Sequence, residues 1–142
     1  MRITFFAKEN LNLYNILVSS ETSRDALKFY RPTEEIYGIT LITGSLGSSL
    51  ALISELRWYI RRYVEEAVLQ ISPEIHCTPL LAQRFLYDKD ISVQPEWPLR
   101  KAYIIEGRKI TKRIALNRNE NLPLPSEGSL VFEVWCTEEE LL

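Results

Sequence analysis

The sequence predicts an α+β protein with one long helix packed on a mainly antiparallel sheet and a C-terminal β-hairpin. Its 142 residues suit a single domain, residues 1–142. Hydrophobic residues make up 46% of the chain and charged residues 25%, which is typical of globular proteins with a buried core. Strand patterns come first along the chain, then one long helical pattern, then several strand patterns joined by short turns. This order is typical of α+β proteins.

The N-terminal part of the chain contains predicted strands and short helices. Residues 2–8 are rich in aromatic and β-branched side chains, which predicts a strand. Residues 10–20 fit either a second strand or a short helix, and residues 19–32 predict a short helix that ends at Pro32. Residues 35–43 are nearly all apolar or β-branched, which predicts a strand covered on both faces.

A long helix is predicted from Leu46 to Ile71, where apolar residues recur with a period of about 3.6 residues. It would contain about 26 residues and extend roughly 39 Å. Pro73 ends it. The apolar stripe consists of Ile53, Leu56, Ile60, Tyr63, Val64, Ala67 and Ile71. We expect this stripe to pack on the sheet.

Strand patterns follow the helix at residues 77–88, 102–105, 109–116 and 129–135. Glu106 and Gly107 predict a two-residue hairpin turn, in which Gly107 supplies the positive φ that such a turn needs. Short turns between consecutive strands favour antiparallel pairing. A parallel β-α-β pairing around the long helix is the alternative.

Trp58 lies on the side of the predicted helix that faces away from the apolar stripe. Its neighbours on that side are charged and include Arg61, Arg62 and Glu65. Tryptophan and arginine are frequent anchors of protein interfaces. We therefore expect a non-catalytic interaction or assembly module that binds a protein partner, or itself as a homodimer, through these four residues. Coverage of Trp58 by another part of the same chain is the alternative.

The last third of the chain joins a basic segment to an acidic one. Residues 100–118 carry seven basic residues against one acidic residue, whereas residues 119–142 carry six acidic residues and no basic one. The candidate phosphate-binding residues are Lys101, Arg108, Lys109, Lys112 and Arg113. A second hypothesis is therefore that the basic hairpin binds nucleic acid or another phosphate ligand.

The predicted turn also fixes which residues of the hairpin face each other. It would place Lys101 opposite Lys112, and like charges in such positions repel. It would likewise place Arg100 opposite Arg113. The alternative to a phosphate ligand is that the acidic strand 129–135 lies beside this ribbon and compensates its charge.

The segment Gly44–Ser49 joins the predicted strand to the long helix. It lacks the lysine of a phosphate-binding loop and the third glycine of a dinucleotide-binding motif. A helix N-terminus still offers N–H groups to an anion, so the candidate anion-binding residues here are Gly44, Ser45, Gly47 and Ser48. The alternative is a tight turn with a serine N-cap.

His76 is the only histidine and stands next to Cys77. This pair is the basis of a third hypothesis, an enzyme of unknown class. Consecutive side chains of a strand point to opposite faces, however, so the two do not share a proton easily. The spacing of histidines, cysteines and carboxylates fits no metal motif, and we expect no metal, cofactor or catalytic residue. Cys77 and Cys136 are predicted to be buried free thiols.

Charge and hydropathy bear on where the protein works. The net charge of -2 does not favour an anionic membrane or nucleic acid. The uncharged run 36–54 contains three glycines, four serines and two threonines, which is too polar for a membrane span. The N-terminus has no secretory signal pattern. We therefore expect a cytoplasmic protein without membrane contact.

Overall fold

The computed structural model describes residues 1–88 and 97–141. It contains one mixed sheet with helices on one face. The strands are β1 (Arg2–Ala7), β2 (Thr33–Glu35), β3 (Gly38–Ile42), β4 (Val64–Ser72), β5 (Ile75–Cys77), β6 (Arg100–Glu106), β7 (Lys109–Leu116) and β8 (Ser129–Trp135). The helices are α1 (Leu13–Ser19), α2 (Glu21–Leu27), α3 (Leu46–Glu55), α4 (Arg57–Tyr63) and α5 (Pro79–Tyr87). A short 3₁₀ helix, Glu138–Leu141, ends the described chain. These elements form a single α+β domain, as the sequence predicts.

The strands follow the order β2-β3-β1-β4-β5-β8-β6-β7 across the sheet. The paired strands are antiparallel except β5 and β8, which are parallel and pair through Cys77 and Trp135. The predicted mainly antiparallel sheet is therefore confirmed for the described residues. β3 and β4 both run antiparallel to β1, which separates them, so α3 and α4 connect two parallel strands that are not neighbours. The parallel β-α-β alternative occurs only in this split form.

The helices cover one face of the sheet, and the larger core, which we call the helix-side core, lies between them and the sheet. Ile3 and Phe5 of β1 and Leu69 of β4 pack there with Leu52 of α3 and Leu81 of α5. Each of these side chains is at most 1% exposed. Burial of this apolar surface is the main favourable contribution to folding.

The C-terminal strands cover the opposite face of β1 and β4. Phe6 points away from Phe5 because side chains alternate along a strand, and its ring lies 5.5 Å from Phe132 and 6.4 Å from Tyr103. Val68 and Val134 belong to the same smaller core. Both faces of β1 are consequently buried, although all eight described strands belong to one sheet.

Ion pairs hold the C-terminal hairpin over the N-terminal strands. Arg113 of β7 contacts Glu65 at 2.6 Å and Glu66 at 2.9 Å, and both carboxylates belong to β4. Lys109 contacts Glu9, which lies in the turn after β1, at 2.8 Å. These pairs are exposed or partly exposed, so solvent screens them and each contributes little to the stability of the fold.

The prediction of one long helix from residue 46 to residue 71 is wrong. The helix breaks at Leu56, where φ is −91° and ψ is 10°, and the chain becomes extended at Val64. Residues 64–72 form β4, which lies between β1 and β5 and is covered on both faces. A strand buried on both faces has apolar side chains of both parities, so Val64 and Ala67 continued the helical period by coincidence.

Helices replace two segments for which the sequence favoured or allowed strands. Residues 79–87 form α5 within the predicted strand 77–88, because Thr78 caps the helix and Pro79 occupies its first position. Residues 13–19 form α1, with Asn12 as the N-cap, and settle the ambiguous segment as a helix. The short helix predicted in 19–32 is confirmed as α2.

The C-terminal hairpin is confirmed, with its turn one residue later than predicted. Glu106 pairs with Lys109, and Gly107 has a φ of +66°, as such a turn requires. A bulge in β7 shifts the register further, so Lys101 faces Ala115 and Arg100 faces Leu116. The predicted pairs of like charges are therefore wrong, since this register separates them.

The uncharged run 36–54 divides between β3, the following turn and α3. Within the described ranges, 1–88 and 97–141, no helix combines the length and the apolar character needed to cross a membrane.

Candidate functional site

The outer side of α4 carries an exposed tryptophan. Trp58 is 54% exposed, and its ring lies edge-on to Tyr59, at 4.9 Å, and to Tyr63, at 6.2 Å. Tyr59 and Tyr63 are half-buried and pack against the helix-side core. The Tyr59 hydroxyl also forms a hydrogen bond of 2.6 Å with the hydroxyl of Ser20, before α2. The aromatic neighbours thus hold Trp58 on a fixed support while leaving much of its ring exposed.

Arginines surround Trp58. The Arg62 guanidinium lies 4.3 Å from the centre of the Trp58 ring, which is the geometry of a cation–π contact. Arg57 and Arg61 are also exposed, and neither makes an ion pair with any residue that the structure describes. We call these four residues, Arg57, Trp58, Arg61 and Arg62, the α4 surface.

Lys8 adds a further positive charge to this area. Its Nζ donates a hydrogen bond of 2.9 Å to the carbonyl oxygen of Arg61, at the C-terminal end of α4. A cation at this end of a helix is favourable because the last carbonyl groups carry partial negative charge. The area around Trp58 is therefore basic, although the whole chain has a net charge of -2.

One of the predicted members does not belong to this surface, and one member was missed. Glu65 lies on β4, where it pairs with Arg113, so it is not on the helix beside Trp58 as the sequence predicts. Arg57 was missed because a continuous helix would turn it toward the apolar stripe, whereas the break at Leu56 changes its direction.

The glycine turn forms a capped helix start. Ser45 is the N-cap of α3, and its side chain accepts a hydrogen bond of 3.1 Å from the backbone N–H of Ser48. The two hydroxyls are themselves 2.9 Å apart. Gly44 and Gly47 flank this cap without a positive φ. The serine cap that the alternative predicts is therefore present, and anion binding by these four residues stays a prediction.

Much of the charge of the basic hairpin is compensated within the chain. Lys109 and Arg113 pair with carboxylates near the opposite strands, and the hydrogen bond from Lys109 lowers the pKa of Glu9. Lys101 is half-buried. Arg108 and Lys112 are exposed and form no ion pair within residues 1–88 and 97–141. Two of the five predicted cations are thus available to a phosphate ligand without breaking an ion pair or a buried contact.

The acidic strand β8 lies beside β6, as the alternative for the charged ribbon predicts. Seven residue pairs join the two strands, from Arg100–Trp135 to Glu106–Ser129. Arg100 contacts the carboxylate of Glu133 at 3.5 Å. The unlike charges are therefore neighbours in the sheet.

His76 and Cys77 point to opposite sides of β5. The His76 ring lies edge-on to Phe132 at 5.8 Å, whereas Cys77 is fully buried in the helix-side core. Burial raises the pKa of the Cys77 thiol to about 12 and lowers the pKa of His76. A protonated, inaccessible thiol is a poor nucleophile. Among the described residues, no group of three or more histidine, cysteine, aspartate or glutamate side chains is placed to hold a metal ion.

A second group of polar and aromatic residues was not foreseen. Trp97 and Trp135 stack with their ring centres 6.2 Å apart and border a cleft beside Arg100 and Glu133. Trp97 and Arg100 are distant along the chain from Glu133 and Trp135, and the antiparallel pairing of β6 and β8 brings the two pairs together. No local motif in the sequence connects them.

Comparisons with known proteins give a family but no activity. The model of a family of unknown function, DUF5804, matches residues 1–96, a range that includes the α4 surface and the glycine turn. No curated protein and no solved structure matches the chain. Since the matched range covers more than half of the 142 residues, the chain belongs to the DUF5804 family of unknown function.

Proposed function

We propose that the protein is an interaction module that binds an acidic segment of a partner protein through the α4 surface. The observation that carries the proposal is the exposed Trp58 ring among three exposed arginines that have no acidic partner in the described part of the chain. Tryptophan and arginine are the residue types that most often dominate binding energy at protein interfaces. The arginines supply charge complementarity and Trp58 supplies the apolar area.

Local helix energetics do not account for all of these charges. Arg61 and Arg62 lie in the last turn of α4, where cations stabilise a helix. Arg57 lies at the first residue of the helix, where a cation is unfavourable. An anionic partner would offset this cost, because it would bring negative charge to the N-terminal end as well.

Protein is favoured over nucleic acid by the arrangement of the Trp58 ring. Arg62 lies over the ring at 4.3 Å, and Tyr59 and Tyr63 contact it edge-on. A nucleobase would have to stack on a ring that is already partly engaged. A carboxylate-bearing segment can instead contact the arginines while its apolar side chains cover the exposed part of the ring.

Two other functions have less support. Phosphate binding by the basic hairpin would rely on Arg108 and Lys112, since Lys109 and Arg113 are already paired. Catalysis around Cys77 and His76 lacks an accessible nucleophile. Neither site combines exposed charge with an exposed aromatic anchor.

The direct test is binding of a fluorescein-labelled peptide made of Glu, Asp and Leu, followed by fluorescence anisotropy. We expect saturable binding that weakens when salt rises from roughly 50 mM to 200 mM, because exposed charges are screened. Trp58→Ser and the double variant Arg61→Glu/Arg62→Glu should each weaken it by about tenfold or more. Arg24→Glu is the matched control, since Arg24 is an exposed arginine on α2 that makes no ion pair within the described ranges.

Two further measurements separate this proposal from its rivals. If single-stranded oligothymidylate binds more tightly than the peptide and the same variants abolish its binding, then the partner is nucleic acid and the proposal is wrong. Light scattering reports the mass in solution. A dimer that Trp58→Ser converts to a monomer would show that the α4 surface is a contact between two copies of the chain.

A further inference from the structure

A cleft on the C-terminal half of the sheet lies apart from the α4 surface and shares no residue with it. It has a volume of about 270 Å³ and opens between Trp97, the β6 and β8 strands, and the loop that follows β7. Its lining includes Trp97, Arg100, Asn119, Asn121, Glu133 and Trp135.

Hydrogen bonds fix the aromatic side of the cleft. The Trp97 indole N–H donates to the carbonyl oxygen of Cys136 at 2.9 Å, and the Trp135 indole N–H donates to the Glu133 carboxylate at 3.1 Å. The two rings are inclined by only 19° to each other. Since both N–H groups have partners, these rings can offer a ligand only their apolar surfaces, and Trp135 is only 4% exposed. Trp97, which is half-buried, supplies most of that apolar contact.

Arg100 organises the polar side. Its Nη2 donates to the carbonyl oxygens of Asn117, at 2.8 Å, and of Glu120, at 2.7 Å, and so holds the loop after β7 against β6. Its Nη1 lies 3.5 Å from Glu133, and its side chain is 12% exposed. Arg100 is thus largely engaged by the protein, and it positions both the loop and the Glu133 carboxylate.

The charges around the cleft cancel. Arg100 and Arg118 line it together with Glu120 and Glu133, which gives no net charge. Charge complementarity therefore favours a neutral ligand over an anion or a cation. A carboxylate and two amides offer both acceptors and donors, the combination that vicinal hydroxyl groups require.

We infer that this cleft binds a small neutral polyhydroxylated ligand, of the size and chemistry of a monosaccharide. Its volume is below the range of roughly 300–1,000 Å³ that is typical of pockets for drug-sized ligands, so the ligand is small. Glu133 accepts hydrogen bonds from its hydroxyls, because this carboxylate is oriented by Trp135 and Arg100 and is still 32% exposed. Asn119 and Asn121, both exposed, contribute amide groups from the loop. Trp97 contacts the apolar side of the ring.

The test is a titration of the isotope-labelled chain with methyl glucoside, methyl galactoside and methyl mannoside, followed by amide chemical shifts. We expect at least one of these sugars to bind saturably, with the shifts confined to Trp97, residues 118–121 and β8. Glu133→Gln should weaken binding by about tenfold, because it replaces a charged acceptor by a neutral amide. Glu127→Gln is the matched control, since Glu127 is exposed in the same connection and does not line the cleft.

Thermal unfolding of Glu133→Gln checks that the variant keeps its fold. The inference is overturned if none of the sugars binds saturably, or if the shifts fall outside the cleft. It is also overturned if glycine betaine or acetate binds there while the sugars do not, because the cleft would then select a charged group.

Discussion

The hydroxyl of Thr78 donates a hydrogen bond of 2.6 Å to the Glu140 carboxylate, across 62 positions of the chain. The same hydroxyl caps α5 by accepting a hydrogen bond of 3.2 Å from the N–H of Leu81. Glu140 in turn accepts from the N–H of Thr137 at 2.9 Å. One carboxylate thus fastens the C-terminal 3₁₀ helix to the first turn of α5, which packs on the sheet.

This relationship predicts that Glu140→Ala lowers the free energy of unfolding by about 1–3 kcal/mol, because it leaves buried donors of Thr78 and Thr137 without an acceptor. Glu140→Gln should lose less, since its amide oxygen can still accept. Urea denaturation monitored by circular dichroism measures both. Glu138→Ala is the matched control, as Glu138 is exposed in the same 3₁₀ helix. Equal losses at positions 138 and 140 would contradict the assignment.

The sequence predicts the strands and their mainly antiparallel pairing well where a local signal exists. The aromatic and β-branched side chains of β1, the basic hairpin and Gly107 all carry such a signal. The prediction from sequence fails at Val64, because β4 is buried by helices on one face and by the C-terminal strands on the other. Burial on both faces removes the alternation that distinguishes a strand, and the remaining apolar spacing resembles a helix.

The candidate site was predicted in part for a related reason. Trp58, Arg61 and Arg62 lie within one helical segment, so the local period places them together correctly. Glu65 was wrongly included and Arg57 was missed, because the two assignments depend on where that segment ends and begins. The cleft at Trp97 and Trp135 depends on strand order across the sheet, which no local period encodes.

Substitution by alanine should destabilise the protein far more at Gly38 than at Gly44. A Cβ added at Gly38 would lie 1.9 Å from the carbonyl oxygen of Phe5, which belongs to the neighbouring strand, whereas a Cβ at Gly44 would meet nothing within 4 Å. We expect Gly38→Ala to destabilise the protein by about 3 kcal/mol or more, because backbone must move. Gly44→Ala should leave stability within about 0.5 kcal/mol of the parent. Similar unfolding midpoints for the two variants would show that β1 and β3 are not packed as described.

Because the two cysteines are buried, we expect their thiols to be unreactive in the native protein. Cys77 and Cys136 are free and fully buried, and burial raises their pKa values to about 12 and about 11. Ellman's reagent should therefore label neither thiol in the native protein at about pH 8, and both after denaturation. Rapid native labelling of either thiol would contradict its burial.

The raised thiol pKa values also set the direction of the pH dependence. Because the unfolded thiols ionise first, their contribution to stability is complete below about pH 9 and is lost as the pH rises through the native values. Urea midpoints measured between about pH 7 and pH 11 should fall at the alkaline end. The urea midpoint of Cys77→Ala should fall less steeply with pH than that of the parent. An unchanged slope would show that Cys77 does not contribute to the pH dependence.

Substitution by alanine should destabilise the protein much more at Trp135 than at Trp58. Trp135 is 4% exposed and packs in the helix-side core, so Trp135→Ala should cost about 3–5 kcal/mol. Trp58 is 54% exposed, and Trp58→Ala should cost no more than about 1 kcal/mol, chiefly through its contact with Arg62. Urea denaturation measures both, with Trp135→Phe as a milder variant should Trp135→Ala fail to fold. A large cost at Trp58 would mean that the tryptophan is retained for stability, and it would remove the reason to regard the α4 surface as a binding site. A small cost combined with lost peptide binding would separate the role of Trp58 in recognition from any role in folding.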